Sequence, residues 1–166
     1  FHCACGDVFR NLTIENEIGR IFVEYSSRGE LVPDDATIRL WRESIGSTQK
    51  TGRFVPDRDT LVLDGIPRSV HQAEMLKEAL DVYAVFNLTC PDFQELVERL
   101  QRRALRENRL DDANMDVIRQ RLETYERETR PVLDFYGADM VHEIDATQTP
   151  VNVLRDILRT IAKVLP

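Results

Sequence analysis

The sequence predicts an α/β fold in which helices cover a parallel sheet. Short strand-like runs alternate with longer helical stretches, and this alternation is typical of parallel sheets. Residues 60–63 form an uninterrupted run of the kind found in strands covered on both faces. The sequence contains no internal repeat or low-complexity tract, and a length of 166 residues predicts a single domain, residues 1–166.

The strands should lie parallel in one sheet, with helices on both faces. Gly6 and Asp7 end the first strand, and a polar loop at residues 46–58 precedes the second. The later strands are short strand-like runs between helical stretches. The strands are expected at residues 1–5, 60–63, 84–88 and 141–144.

The helices are placed by their start and stop signals. Residues 28–30 end the second helix, and Pro33 suits the first turn of the third. Pro131 should end or kink the sixth helix, because proline removes an N–H donor and clashes with the preceding turn. The helices are expected at residues 7–12, 15–27, 33–45, 71–79, 91–105, 114–136 and 150–164.

Composition restricts the classes of partner. Hydrophobic residues make up 42% of the chain and charged residues 31%, which is ordinary for a soluble globular protein. The formal net charge of −7 argues against nonspecific nucleic-acid binding, and no apolar run approaches the ~18 residues of a membrane span. The odd number of cysteines, Cys3, Cys5 and Cys90, predicts reduced thiols. We expect a cytoplasmic monomer that binds neither nucleic acid nor membranes.

Arginine dominates the basic residues and is concentrated in one stretch. The chain has nineteen arginines and three lysines, and nine of the arginines lie between Arg99 and Arg130. One interpretation is a local anion site, because the planar guanidinium matches phosphate or carboxylate oxygens. The alternative is a solvated helix face on which arginine pairs with Glu and Asp.

Asp64 follows the strand predicted at residues 60–63, at the rim where open α/β sheets bind ligands. An acid in this place can organise Mg²⁺ through bound water, and no direct metal ligand is predicted. Gly65 allows close backbone approach, Pro67 stiffens the loop, and Arg68 supplies a phosphate-binding fork. The alternative is a plain strand-turn-helix in which Asp64 serves only as a helix cap.

Several ordered segments together indicate a family. Residues 64–73 read Asp-Gly-Ile-Pro-Arg-Ser-Val-His-Gln-Ala, residues 6–10 read Gly-Asp-Val-Phe-Arg, and residues 29–34 read Gly-Glu-Leu-Val-Pro-Asp. Near the C-terminus, Arg-Leu-Asp-Asp at 109–112 precedes Arg-Leu-Glu-Thr-Tyr at 121–125. From about residue 5 to the end, this pattern resembles the nucleoside monophosphate kinases, and most closely the adenylate kinases.

The resemblance implies a fold and an activity. The fold would be a three-layer sheet like that of P-loop kinases, with a helical monophosphate-binding flap at about residues 5–32 and a short lid at about 102–112. The activity would be transfer of a phosphoryl group from ATP to AMP with Mg²⁺, giving two ADP. Such transfer depends on positioning and charge neutralisation more than on covalent help.

The resemblance also implies roles for individual residues. Catalytic roles fall to Asp64, Arg68, Arg103, Arg109 and Arg121. AMP contacts fall to Cys5, Arg10, Glu30, Leu31, Val32, Gly65, Ile66, Pro67, Arg68, Gln72, Arg109 and Arg121. ATP contacts fall to Arg99, Arg103 and Gln148.

Two of these positions differ in what they imply about the base. Cys5 stands where adenylate kinases usually have Thr and UMP/CMP kinases have Ala. Gln72 would pair with the adenine edge, whereas pyrimidine kinases carry Asn there. A kinase for UMP or CMP is therefore the alternative enzyme. Ile66 also replaces an aromatic residue of the family.

The 166 residues contain no Gly-x-x-x-x-Gly-Lys-(Ser/Thr) phosphate loop. In the family, that loop follows a strand in the middle of the sheet. We therefore expect missing sequence before Phe1, a slot between strands where that segment belongs, and no useful catalysis by these residues alone. The alternative is a degenerate nucleotide-binding module.

Overall fold

The computed structural model describes residues 1–107 and 114–165, without the side chain of Glu107. Its strands are β1 (His2–Ala4), β2 (Val62–Asp64), β3 (Val85–Thr89) and β4 (Val141–Asp145). β1 pairs with β2 and β3 pairs with β4, both in parallel. The parallel direction is thus confirmed, but the prediction of one sheet is wrong for the described residues, which form two sheets of two strands.

A broad cleft separates the two sheets. Its volume is about 2890 Å³, and the residues of β2 and β3 line it. Neighbouring strands must lie about 4.7–4.9 Å apart to share hydrogen bonds, so strands on opposite sides of such a cleft cannot pair. The cleft lies between β2 and β3.

Helices connect the strands in alternation, as predicted. The helix over residues 150–164 has the predicted bounds, whereas others shift by a few residues at their ends. The helices are α1 (Cys5–Arg10), α2 (Glu17–Ser27), α3 (Asp34–Lys50), α4 (Val70–Leu76), α5 (Phe93–Glu107), α6 (Met115–Thr124), α7 (Pro131–Tyr136) and α8 (Pro150–Val164).

The largest boundary error concerns α3. The predicted loop at residues 46–58 begins instead at Thr51, because the helix continues through Gly46 to Lys50. A glycine inside a helix costs only about 1 kcal/mol relative to alanine. The buried Trp41 and Ile45 on the same helix give packing that outweighs this cost.

The predicted long helix at 114–136 is interrupted before Pro131. A π-helical turn, Tyr125–Thr129, separates α6 from α7, and the Arg130 amide donates to the Tyr125 carbonyl at 2.9 Å. A proline ring clashes with the carbonyl four residues earlier in a regular helix. The wider turn relieves that clash, so the predicted kink takes the form of a π-helical turn.

The packed core lies on the β1–β2 side of the cleft. It joins apolar side chains of α1–α4 to the two strands, whereas no residue of α8 is fully buried in the described structure. Among the helices that the structure describes, none is long and apolar enough to cross a membrane. The most buried members of the core are Leu76, Cys5, Ile38 and Trp41.

Truncation of Ile38 tests where the core lies. Ile38 is 2% exposed, so Ile38→Ala should lower the free energy of unfolding by about 2–5 kcal/mol through lost burial and the cavity left behind. Ile14 is 71% exposed, so the control Ile14→Ala should change it by less than about 0.5 kcal/mol. Urea unfolding followed by circular dichroism measures both, and similar losses would contradict this placement of the core.

Candidate functional site

Most of the predicted site residues line the cleft, and together they form what we call the cleft wall. These come from four separate segments: α1, the turn after α2, the stretch from the end of β2 into α4, and α6. Arg109 lies outside the described residues. Arg99, Arg103 and Gln148 are not among the lining residues. The predicted residues that line the cleft are Cys5, Arg10, Glu30, Leu31, Val32, Asp64, Gly65, Ile66, Pro67, Arg68, Gln72 and Arg121.

The β2–α4 loop turns sharply and folds Arg68 back over itself. Gly65 has a φ of 76°, the Ile66–Pro67 peptide is cis, and Arg68 Nε donates to the Gly65 carbonyl at 3.0 Å. A Cβ on Gly65 would lie 3.1 Å from a guanidinium nitrogen of Arg68. Gly65 is therefore needed for its backbone conformation, whereas a small shift of the Arg68 side chain would accommodate an added Cβ.

Gly29 brings the turn after α2 against α6. It has a φ of 73°, and a Cβ there would lie 2.8 Å from the Val117 carbonyl oxygen and 3.0 Å from Cγ of Arg121. Only glycine tolerates both the conformation and the contact. The contact places residues 30–32 beside Arg121 at the cleft, although no motif in the sequence states that these segments touch.

Cys5 is a buried residue that lines the cleft with a neutral thiol. Burial raises the pKa of its thiol to about 11, and the charge of Arg68 offsets only part of this effect. The thiol therefore stays protonated near neutral pH and offers a small, weakly polar surface. Arg68, although distant in sequence, is thus one of the charges that act on the Cys5 thiol.

Gln72 is 2% exposed, and its amide is already engaged at both ends. Its Oε1 accepts from the Arg68 amide at 2.7 Å, and its Nε2 donates to Asp34 Oδ1 at 2.7 Å. One amide hydrogen and one lone pair remain. The predicted contact of Gln72 with a base stays a prediction.

Asp64 and Arg10 are more exposed. Asp64 ends β2, its side chain is 69% exposed, and one of its carboxylate oxygens lies 3.8 Å from His2 Nε2. Arg10 pairs with Asp7 one turn earlier, at 2.5 Å. A bound anion near Arg10 would compete with the Asp7 carboxylate for the same guanidinium.

Two of the residues predicted to contact ATP meet at the loop between β4 and α8. Arg99 donates to the carbonyl of Ala146 and pairs with Glu95 at 2.7 Å. Gln148 donates to the Asp145 carbonyl at 3.2 Å and to Asp156 at 3.0 Å. Arg103 is half-buried. It lies one helical turn after Arg99 on α5, which places the two arginines on the same face of the helix.

The arginine-rich stretch divides between the two interpretations. Several of its members pair with acids on exposed helix surfaces, as in the solvated-face interpretation, whereas Arg121 lines the cleft, as do Arg127 and Arg130 from among the paired residues. The exposed pairs are Arg102–Glu98, Arg119–Asp116, Arg127–Glu128 and Arg130–Glu126.

Metal-binding capacity is low within residues 1–107 and 114–165. No group of three or more His, Cys, Asp or Glu side chains is arranged to hold an ion there. Mg²⁺ usually keeps several water molecules and needs only one or two carboxylates beside substrate phosphates. Asp64 at the end of β2 has an exposed carboxylate.

Sequence reasoning missed Asp34, Ser69 and Thr129. Asp34 accepts hydrogen bonds from Ser69 at 2.9 Å and from Gln72, and Thr129 donates to the Arg68 carbonyl at 2.8 Å. Asp34 belongs to a segment that resembles the family, but its place beside Pro33 indicates only a helix start. Contacts across 35 or more residues have no local sequence signal.

Substitution of Gly29 tests the contact between the turn and α6. Gly29→Ala should destabilise the protein by about 1–2 kcal/mol through its positive φ, and by about 1–3 kcal/mol more through overpacking against Val117. Gly52→Ala is the matched control, because Gly52 has a φ of 68° but an added Cβ meets no described atom within 4 Å. Urea unfolding measures both variants, and an equal loss of unfolding free energy in Gly29→Ala and Gly52→Ala would contradict the contact between Gly29 and α6.

Comparison with known proteins gives one consistent family. A family model described as Adenylate kinase matches residues 1–141. A Leptospira biflexa protein named adenylate kinase is 36% identical over 144 residues, covering 83% of this chain and 73% of that protein. One from Kocuria rhizophila is 38% identical over 136 residues, covering 79% and 68%. One from a Nocardioides species is 39% identical over 147 residues, covering 84% and 72%.

Proposed function

The chain belongs to the adenylate kinase family, and from this premise we propose that it transfers the terminal phosphoryl group of ATP to AMP, giving two ADP. The observation that carries the proposal is the cleft. Residues that match the family's AMP contacts come from four separate segments, and they line this cleft together. An arrangement of this kind suits a reaction that depends on positioning and neutralised charge.

The cleft wall is the proposed AMP site. Arg10, Arg68 and Arg121 would neutralise the AMP phosphate and the group in transit, because each guanidinium presents a planar fork of donors. Residues 30–32 would line the base by their backbone. Cys5 would close the site as a small neutral wall, and this role is compatible with its raised pKa.

The proposed ATP side lies at α5 and the β4–α8 loop. Arg99 contacts that loop at Ala146, Gln148 belongs to it, and Arg103 follows Arg99 by one helical turn. Arg109 would come with a short lid at residues 102–112, and a flap at residues 5–32 would close over AMP. Closure would exclude water and so suppress hydrolysis of ATP.

Mg²⁺ would accompany ATP and stabilise the charge that develops on the transferring phosphoryl group. Asp64 would orient that ion through bound water from the end of β2. The side chain is exposed enough to accept such water molecules.

The other assignments have less support. The relatives cited above are named adenylate kinase, so neither a UMP/CMP kinase nor a degenerate binding module is favoured. The monomeric state and the cytoplasmic location stay predictions from the sequence. Size-exclusion chromatography with light scattering would measure the former.

Arg68 is the sharpest test of the proposed activity. In the full-length protein, Arg68→Ala should lower kcat by orders of magnitude and leave folding intact, because it removes charge stabilisation of the transition state. Arg68→Lys should restore little, since a point charge cannot replace a two-pronged contact.

The matched control for Arg68→Ala is Arg39→Ala, which removes the same charge from an exposed position on α3. It should leave kcat near the wild-type value. Steady-state ADP formation measures all three variants. A loss below about tenfold for Arg68→Ala, or about 1.4 kcal/mol, would contradict the role of Arg68.

We further propose that a polypeptide limited to residues 1–166 transfers phosphoryl groups poorly. The donor phosphates need a cradle of backbone N–H groups and a lysine. Lys50 ends α3, Lys77 follows α4, and Lys163 lies in the last turn of α8, so none belongs to a glycine-rich loop after a strand. In an assay with ATP, AMP and magnesium, a turnover of about 1 s⁻¹ or more, as in typical kinases, would contradict this prediction.

A further inference from the structure

The peptide groups of Arg68 are held on both sides by side chains from other positions. The Arg68 amide donates to Gln72 Oε1 at 2.7 Å, and the Arg68 carbonyl accepts from Thr129 Oγ1 at 2.8 Å. Arg68 lies in the loop between β2 and α4, outside any helix or strand. The two side chains therefore restrain a backbone segment that regular secondary structure leaves unsupported.

Asp34 determines which way the Gln72 amide points. Asp34 Oδ1 accepts from Gln72 Nε2 at 2.7 Å, and Asp34 Oδ2 accepts from Ser69 Oγ at 2.9 Å. A carboxylate can only accept, so it must face the NH₂ group of the amide. The amide oxygen is then left facing the Arg68 N–H. The reversed amide would set oxygen against carboxylate and NH₂ against N–H.

Ser69 locks this cluster to the start of α4. Its hydroxyl caps the helix by accepting a hydrogen bond from the backbone N–H of Gln72 at 3.0 Å. The same hydroxyl donates to Asp34. Gln72 is 2% exposed and Ser69 is 8% exposed. Buried hydrogen bonds of this kind are costly to leave unmade, because the freed groups have no water to bond.

Thr129 reaches the same loop from the π-helical turn. The turn is closed by the bond from the Arg130 amide to the Tyr125 carbonyl, five residues earlier. This turn places the Thr129 hydroxyl against a residue that lies 61 positions away in sequence. π-helical turns are rare and are frequent at functional sites. The turn that accommodates Pro131 thus also presents a hydrogen-bond donor to the Arg68 loop.

We propose that Asp34 and Thr129 are positioning residues for Arg68, with Gln72 as the link through which Asp34 acts. This inference rests on the proposed function, in which Arg68 contacts the phosphate of AMP. A displacement of about 1 Å at a charged contact can cost about a hundredfold in rate. Two side chains that fix the Arg68 backbone therefore control the affinity for phosphate without touching the ligand.

A role of Asp34 in positioning Arg68 can be distinguished by experiment from a role in recognising the adenine base. If Asp34 acts through Arg68, its loss weakens ligands that carry a phosphate and leaves ligands without one unchanged. If Asp34 acts by orienting Gln72 toward adenine, its loss weakens every ligand that carries adenine. AMP and adenosine separate these cases, because they share the base and differ in the phosphate.

The test measures dissociation constants on the full-length protein by calorimetry. AMP is titrated directly, and adenosine is measured by competition. Asp34→Ala and Thr129→Val should each weaken AMP by about tenfold, the equivalent of about 1.4 kcal/mol, and change adenosine by less than about twofold. An equal loss for both ligands would overturn the positioning role, and so would an unchanged AMP affinity in both variants.

Matched controls exclude general effects of the substitutions. Asp35→Ala removes an exposed carboxylate from the same first turn of α3 and should leave AMP binding unchanged. Thr129→Ser keeps the hydroxyl and Asp34→Asn keeps the shape and one acceptor, so both should bind AMP within about threefold of the wild type. Thr129→Val lies on a different element and keeps the test decisive if Asp34→Ala does not fold.

A second measurement is independent of nucleotide binding. Hydrogen exchange of the Gln72 side-chain amide, followed by NMR, should be slow in the wild type and in Asp35→Ala, and faster in Asp34→Ala. Unchanged exchange would overturn the link between Asp34 and Gln72. If that link is observed but the wild type does not bind AMP, the proposed function fails, and the positioning role fails with it.

Discussion

Parallel pairing between β1 and β2 is the constraint on which the site depends. The register sets Ala4 opposite Asp64, so the carboxyl ends of both strands meet at one edge. Cys5 begins α1 directly after the first strand, and the loop that carries Arg68 directly follows the second. An antiparallel pair would send these two segments to opposite edges of the sheet, and the cleft wall would not exist.

The two halves of the molecule differ in how they are held together. On the β1–β2 side, apolar residues of α1–α4 form a continuous buried core around the strands. On the other side, β3 and β4 pair along five residues each, but α8 contributes no fully buried side chain in the described structure. The proposed AMP wall belongs to the well-packed half, which suits a site that must hold charged groups in fixed places.

Local patterns predicted the elements well and their interruptions poorly. Alternating strand-like and helical runs located β2, β3, β4 and α8 to within about two residues, because these signals are contained in a few neighbouring side chains. α3 continued past its predicted end at Ile45, since packing of Trp41 and Ile45 overrides the weak propensity of one glycine. The sequence predicted a break or kink at Pro131 but not its π-helical form, which depends on what the turn contacts.

The sequence by itself determined the family, the alternation of strands and helices, and the residue types that line the cleft. It did so because motifs such as the one at residues 64–73 are local and ordered along the chain. Only the tertiary structure decided that the strands form two sheets, that Gly29 contacts α6, and that Asp34 and Thr129 hold the Arg68 loop. These are contacts between residues distant in sequence, and their free energies depend on distances and angles that no short sequence pattern specifies.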